Sequence, residues 1–143
     1  PFCRPEVFKD TNCRSVSLDE LMKTSDYISI HARLTKDTQG LVTREHINMM
    51  KPTAFFINTA RAGLVDEDAL VDALAEHRIG GAGLDVFSVE PLPQGHPILG
   101  LDNVTLTPHR AGNCSNLAAI SLDIIVEDIE RYFKGEPLAH AKN

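Results

Sequence analysis

Residues 54–68 of the 143-residue chain read Ala-Phe-Phe-Ile-Asn-Thr-Ala-Arg-Ala-Gly-Leu-Val-Asp-Glu-Asp, and this stretch predicts a strand, a turn and the start of a helix. The apolar run 54–57 has the length of one buried strand. A turn of small residues around Gly63 then carries Arg61, and Asp66 is the expected N-cap of a helix because its carboxylate can accept an unpaired backbone N–H. In a parallel α/β sheet this order places Arg61 at the carboxyl edge of a strand, where ligands bind.

The same alternation of short apolar runs and helical patterns continues on both sides of this stretch. Further strands are predicted at 14–16, 27–30, 81–87 and 104–106, and helices are predicted from Ser17, from Thr43 to Met50, from Asp66 to His77 and over 115–133. Residues 1–10 are expected to form a loop with one helical turn. Because strands and helices alternate, the sequence predicts an α/β fold with a mostly parallel sheet and helices on both faces.

Composition excludes several classes of function. The formal net charge is −6, which argues against a nucleic-acid partner because phosphates attract clustered Lys and Arg. No run approaches the roughly 20 apolar residues that span a bilayer, so no membrane partner is expected. Cys3, Cys13 and Cys114 fit no zinc pattern, and no metal site is expected. Sparse cysteines without a framework predict reduced thiols and a cytoplasmic location, with a Cys3–Cys13 disulfide as the alternative.

Three polar residues follow three of the predicted strands: Arg61, Glu90 and His109. Strand ends share one edge of a parallel sheet, so these side chains could converge there. An arginine fork binds a carboxylate through two hydrogen bonds, and a histidine can give or take a proton near neutral pH. A nearby glutamate stabilises the charged imidazolium. Taken one at a time, Arg61 is more often a surface charge, Glu90 a solvated loop charge and His109 a loop histidine. The joint pattern of the three is what favours a site.

Asp85 lies within an otherwise apolar predicted strand, and a carboxylate buried there without a partner would be costly. Two interpretations remain open for it. It caps or salt-bridges the end of a strand, or it holds the amide of a ligand at the sheet edge. His31 also ends a strand and could face the same crevice.

Three motifs in order carry a resemblance to a known family. They are Asn-Thr-Ala-Arg-Ala-Gly-Leu-Val-Asp at 58–66, Gly-Leu-Asp-Val-Phe-Ser-Val-Glu-Pro at 83–91 and Leu-Thr-Pro-His-Arg-Ala-Gly at 106–112. In this order and spacing the chain resembles the D-isomer-specific 2-hydroxyacid dehydrogenases, especially the phosphoglycerate dehydrogenase-like members. Formate-type relatives are disfavoured because they carry glutamine where this chain has Glu90.

The resemblance implies a Rossmann-like, doubly wound fold and an NAD-dependent enzyme, with NADP not excluded. It implies that Arg61, Glu90 and His109 are the catalytic residues. The positions that it implies for cofactor binding are Ala32 on the adenosine side, and Thr59, Ala60, Arg61, Asp85, His109, Ala111 and Gly112 on the nicotinamide side. The family usually has proline where Arg33 stands, so the fit to the cofactor near Ala32 is in question.

No Gly-x-Gly-x-x-Gly motif occurs in the chain. We therefore expect residues 1–143 to be the C-terminal part of an NAD-binding Rossmann-type domain, without the Gly-rich loop or the substrate domain. Residues 115–143 would be its C-terminal helix and tail. Such a fragment is expected to turn over no substrate by itself and to form a homodimer.

The expected function of the parent protein is hydride transfer between NAD(P) and a D-2-hydroxy acid or its 2-keto acid, with 3-phosphoglycerate as one candidate. The alternative is an NAD-sensing corepressor-type binding module of the same fold.

Overall fold

A computed structural model of the chain describes residues 11–113 and 115–141. These residues contain four parallel strands, four α-helices and 3₁₀ turns at Ala62–Leu64 and Pro97–Gly100. The strands are β1 (Tyr27–Ile30), β2 (Phe55–Asn58), β3 (Gly81–Leu84) and β4 (Val104–Leu106), and the helices are α1 (Leu18–Thr24), α2 (Arg44–Asn48), α3 (Glu67–Ala75) and α4 (Leu117–Lys134). The chain separates into two compact units, of which the first ends at His109 and the second begins at Arg110.

The sheet of the first unit follows the order β1-β2-β3-β4, and every neighbouring pair is parallel. In its register Ile28 lies beside Phe56, and Phe56 lies beside Ala82. Because all four strands run in one direction, their carboxyl ends lie along one edge. This confirms the predicted parallel α/β sheet.

One face of the sheet carries the hydrophobic core of the first unit. Alternate strand residues point into it, and the helices contribute their apolar sides. Its members include Ile28, Ile30, Phe56, Ala82 and Leu84 from the strands, Met22 from α1, Ile47 from α2, and Leu70 and Leu74 from α3. On the opposite face the rings of Tyr27 and Phe55 stack 5.8 Å apart between centroids, and these side chains are 73% and 41% exposed. Within the first unit, helices α1 to α3 therefore cover one face only.

Capping residues set the helix ends as the sequence predicts. The Ser17 hydroxyl accepts a hydrogen bond from the Glu20 backbone N–H at 3.1 Å, and the Asp66 carboxylate accepts one from Ala69 at 2.9 Å. Thr43 forms a capping box with His46 at the start of α2. Gly135 ends α4 in the left-handed conformation with φ of 71°, which glycine adopts without steric cost.

Some predicted boundaries are wrong. Residues 14–16 form no strand, because they pair with none of the described strands; Arg14 binds the side chain of Glu20 at 2.7 Å beside helix α1. Strand β3 ends at Leu84 rather than 87, and α2 ends at Asn48 rather than Met50. The predicted loop at 1–10 lies outside the described residues.

None of the described helices has the length and hydropathy needed to cross a bilayer. Cys13 is an exposed free thiol. Cys3 and Cys114 lie outside the part of the chain that the structure describes, and the cytoplasmic location stays a prediction.

Glycines at the start of β3 allow a close approach of two backbone segments. A Cβ added at Gly81 would lie 2.5 Å from the backbone oxygen of Asn103 and 2.8 Å from Cε1 of Phe55. At Gly83 the nearest atom would be Cγ1 of Ile57, at 3.9 Å. Only the first position is therefore closed to a side chain.

We expect Gly81→Ala to lower the free energy of unfolding of the chain by roughly 1–3 kcal/mol, because the new methyl group forces β3 away from Asn103. Gly83→Ala is the matched control and should change it by less than about 1 kcal/mol. Urea unfolding followed by circular dichroism measures both. Equal losses for the two variants would contradict the close approach.

Candidate active site

The three polar residues that follow β2, β3 and β4 line one cavity of the first unit. Arg61, Glu90 and His109 border a space of about 450 Å³ together with Leu34 and Gly63. The shared edge of the parallel strands brings these loops together. The roles of the three side chains stay predictions, but they lie on one cavity.

Glu90 and His109 form a direct hydrogen bond, with 2.8 Å between His109 Nδ1 and Glu90 Oε2. The other carboxylate oxygen of Glu90 accepts a hydrogen bond from the Phe87 backbone N–H at 3.0 Å. The hydrogen bond from His109, followed by the one from Phe87, lowers the pKa of Glu90 below its ordinary value. An ionised carboxylate only accepts, so Nδ1 carries a proton and Nε2 is the ring nitrogen that can face a ligand.

The backbone around His109 explains where its ring lies. His109 has φ of 53°, and its N–H donates to the Thr107 carbonyl at 3.0 Å, closing a tight turn around Pro108. A left-handed backbone is uncommon outside glycine, although asparagine, aspartate and histidine adopt it more often than other residues do. The turn directs the imidazole back toward the loop after β3, where Glu90 lies.

Asn58 holds the turn that carries Arg61. This buried side chain donates from Nδ2 to the Arg61 carbonyl and accepts from the Ala60 N–H, both at 3.0 Å. The exposed guanidinium of Arg61 donates from Nη1 to the Ala60 carbonyl at 2.6 Å. Arginine carries five N–H donors, so this bond leaves capacity to bind a carboxylate.

Asp85 is buried directly after β3, one residue beyond the strand in which the sequence placed it. Its Oδ1 accepts a short hydrogen bond from the Thr107 hydroxyl, and its N–H donates to the Asn58 carbonyl at 3.0 Å. A carboxylate at the carboxyl edge of the sheet can accept from a carboxamide, so its chemistry fits the nicotinamide end of NAD(P). The Thr107 contact joins the ends of β3 and β4.

A second carboxylate fixes the loop that carries Glu90. Glu67, the first residue of α3, accepts from Ser88 N at 2.8 Å and from Ser88 Oγ at 2.9 Å, both through Oε2. The contacts made by Glu67, Asn58 and Thr107 were not predicted from the sequence. All three are polar residues at the end of a strand or helix, and this position is the feature of the sequence that could have indicated a contact.

The remaining predicted positions lie in different places. Ala32 and Ala60 pack partly buried against the core, and Thr59 is exposed. His31 binds the Ser29 hydroxyl through Nε2 at 2.8 Å. Ala111 and Gly112 belong to the second unit. Among the described residues, no group of three or more His, Cys, Asp or Glu could hold a metal ion.

We expect His109→Ala to raise the pKa of Glu90 toward its ordinary value of about 4.3, because the largest cause of the lowered pKa is lost. A lowered pKa in the fold stabilises the chain above about pH 4.3, and this stability is lost as the pH falls through the folded-state pKa. The free energy of unfolding of the variant should therefore be lower above that pH, and it should change less as the pH falls below it.

Carboxyl ¹³C NMR titration measures the pKa of Glu90, and urea unfolding at acid pH measures the stability. His77→Ala is the matched control, since His77 also has a positive φ, of 50°, and its imidazole lies beside Asp102 rather than Glu90. A Glu90 pKa that is the same with and without His109 would show that the hydrogen bond does not form in solution.

Comparison with known proteins places this geometry in a family. The family model described as "D-isomer specific 2-hydroxyacid dehydrogenase, NAD binding domain" matches residues 1–111. The glyoxylate reductase of Thermofilum pendens is 44% identical over 125 residues, which are 87% of this chain and 37% of that protein. The D-3-phosphoglycerate dehydrogenase of Archaeoglobus fulgidus is 37% identical over 143 residues, which are 100% of this chain and 27% of that protein.

Among solved structures, the D-lactate dehydrogenase with NAD⁺ from Lactobacillus jensenii superposes with a TM-score of 0.81 and 29% identity, covering 89% of this chain and 40% of that one. The chain thus spans well under half the length of each of these proteins. The family match and the parallel sheet confirm the resemblance found in the sequence: the chain belongs to the D-isomer specific 2-hydroxyacid dehydrogenases, in the part that forms their NAD binding domain.

Proposed function

We propose that this chain supplies the proton-transfer group and part of the cofactor site of an oxidoreductase that acts on D-2-hydroxy acids and 2-keto acids with NAD(P). The hydrogen-bonded pair of Glu90 and His109, on one cavity with Arg61, carries this proposal. Family membership and the relatives' printed activities support it.

Arg61 is the proposed anchor for the substrate. Its guanidinium lines the cavity and offers a planar fork to the substrate carboxylate. The same positive charge would polarise the adjacent C2 carbonyl. Asn58 keeps the backbone of this turn in place at the edge of the strand through its bonds to Arg61 O and Ala60 N.

His109 is the proposed proton donor. In reduction, Nε2 would give its proton to the carbonyl oxygen as a hydride reaches C2, which yields the 2-hydroxy acid and a neutral imidazole. In oxidation the same nitrogen would accept the proton. Glu90 would orient the ring through its hydrogen bond with Nδ1, which leaves Nε2 for the substrate.

The proposed cofactor is NAD, with NADP not excluded, and when bound it would supply or accept the hydride. Asp85 would hold the carboxamide at the sheet edge. The other proposed cofactor positions on the nicotinamide side are Thr59, Ala60, Ala111 and Gly112. Ala32 would lie toward the adenosine. The family description and the NAD⁺ bound to the D-lactate dehydrogenase support this choice. Among candidate substrates, 3-phosphoglycerate stays a prediction.

We also propose that 1–143 is the C-terminal part of the NAD-binding domain, with 115–143 its last helix and tail, and that the chain forms a homodimer in the cytoplasm. Support for association comes from α4, whose apolar side chains are exposed. These include Leu117, Ile120, Ile124, Ile125, Ile129 and Phe133. Sedimentation equilibrium tests the dimer, and a species of 15.7 kDa alone would contradict it.

The alternative is an NAD-sensing corepressor-type module of the same fold. A sensor needs to bind the cofactor but needs no acid–base pair. The hydrogen bond between Glu90 and His109, beside the guanidinium of Arg61, therefore favours the enzyme. Turnover distinguishes the two candidates.

We expect His109→Asn to lower kcat by about 100-fold or more, because a positioned proton donor contributes about that much. Asparagine tolerates the left-handed backbone of His109, so the decrease in kcat reports the missing proton donor rather than a change in the turn. The measurement uses a hybrid in which this chain replaces the matching region of the Thermofilum pendens glyoxylate reductase, with glyoxylate and NADH or NADPH.

In the same hybrid, Arg61→Met should lower kcat/KM by at least about tenfold, since a charge-assisted anchor is lost. His77→Asn is the control for both changes and should leave the rates unaltered. A loss of less than tenfold for His109→Asn would remove the proposed proton transfer.

A further inference from the structure

A second cavity adjoins the pair of Glu90 and His109. It has a volume of about 520 Å³, and it shares Phe87, Glu90 and His109 with the cavity that contains Arg61. Its other walls come from the segments around Leu99 and 106–108, which the first cavity does not touch. The acid–base pair therefore borders both a cavity with a guanidinium and a cavity without one.

The walls of this second cavity are apolar. They are formed by Phe87, Pro91, Leu92, Leu99, Leu106 and Pro108. The hydroxyl of Thr107, which also borders it, is already donated to Asp85. Neither lysine nor arginine is among the lining residues. We call this space the apolar pocket.

The apolar pocket is held in shape by its surroundings. Leu92 and Leu106 pack against the hydrophobic core, and Ile98, beside Leu99, is completely buried in it. His96 caps the short 3₁₀ helix that presents Leu99, accepting from Ile98 N at 3.3 Å. A preformed apolar pocket with few polar groups is the usual form of a small-molecule site, and its volume falls within the usual range of about 300–1,000 Å³.

The geometry of a 2-keto acid connects the two cavities. Its C2 atom is trigonal, so the carbonyl oxygen, the carboxylate and the side chain point away from one another. With the oxygen at His109 Nε2 and the carboxylate at Arg61, the side chain is directed away from the Arg61 cavity. The apolar pocket also borders Glu90 and His109 and is lined by neither lysine nor arginine, so it is the neighbouring space that suits an uncharged side chain.

We propose that the apolar pocket binds the C2 side chain of the substrate, so that the site prefers 2-keto acids with a branched or aromatic apolar side chain over glyoxylate. This inference rests on the proposed function for the placement of the carboxylate and the carbonyl. A phosphorylated side chain fits the pocket poorly, because its charge would lose water without gaining a cation. The pocket therefore weighs against 3-phosphoglycerate.

The test is a binding measurement on the 143-residue chain, labelled with ¹³C at the leucine methyl groups. The probes are 4-methyl-2-oxopentanoate, which carries an isobutyl group, and glyoxylate, which has no side chain. We expect the first acid to shift the methyl signals of Leu92, Leu99 and Leu106 and to bind roughly tenfold or more tightly than glyoxylate, as apolar pockets discriminate alkyl groups.

Two variants locate the effect. Leu99→Gln should remove the advantage of 4-methyl-2-oxopentanoate, while Leu122→Gln should retain it; the two leucines are similarly exposed, at 53% and 60%. The proposal is overturned if the two acids bind with equal affinity, or if neither acid shifts the leucine methyl signals up to its solubility limit. It is also overturned if nicotinamide, an unrelated small molecule without a keto acid group, causes the same shifts.

Arg61→Met separates this inference from the proposed function. If the pocket and the anchor both hold, this variant weakens both acids by the same factor and leaves their ratio unchanged. If the anchor fails but the pocket holds, Arg61→Met changes neither affinity, while Leu99→Gln still removes the preference. If Arg61 binds the carboxylate but the pocket does not bind the side chain, the two acids have equal affinities, and Arg61→Met lowers both.

Discussion

The common direction of the four strands is the constraint on which the site depends. Asn58, Leu84 and Leu106 end their strands in register along one edge of the sheet. Each strand then passes into a loop, and these loops carry Arg61, Glu90 and His109. Reversing any one of these strands would send its functional loop to the far edge. The core residues on one face of the sheet keep this direction, because the helices that link parallel strands must pack there.

Hydrogen bonds within and between these loops then fix the relative positions of their side chains. Asp85 joins the end of β3 to Thr107, and Asn58 joins the end of β2 to the turn around Arg61. Glu90 accepts from its own loop through Phe87 and from the next loop through His109. Each buried or partly buried polar group in this set has a partner, which is what its removal from water requires.

Local sequence signals were sufficient to predict the elements of the fold. The caps at Ser17, Asp66 and Gly135 depend on side chains or backbone freedom within a few residues, so they can be read from the sequence. The end of β3 could not be read, because Val86 and Phe87 continue the apolar run although the backbone has left the sheet. The strand predicted at 14–16 does not form, because a strand needs a pairing partner and the local sequence does not reveal whether one is present.

For the candidate site, the motifs identified Arg61, Glu90 and His109, but not the contacts that orient them. The pairs Asp85 with Thr107 and Glu67 with Ser88 are more than 20 residues apart in sequence. Their meeting depends on the register of β3 and β4 and on the position of α3. The apolar pocket is hidden from the sequence for the same reason, because its walls come from separate segments between Phe87 and His109.

The double hydrogen bond from Ser88 to Glu67 has a mechanical consequence for the fold. Helix α3 begins a few residues after Arg61, and Ser88 lies two residues before Glu90, so this one carboxylate connects the segment that follows Arg61 to the loop that carries Glu90. The two segments cannot separate without exposing a charge that has lost both donors. Moving α3 away from the loop of Glu90 would therefore break both hydrogen bonds, so the helix that follows Arg61 and the loop that carries Glu90 are tied to each other.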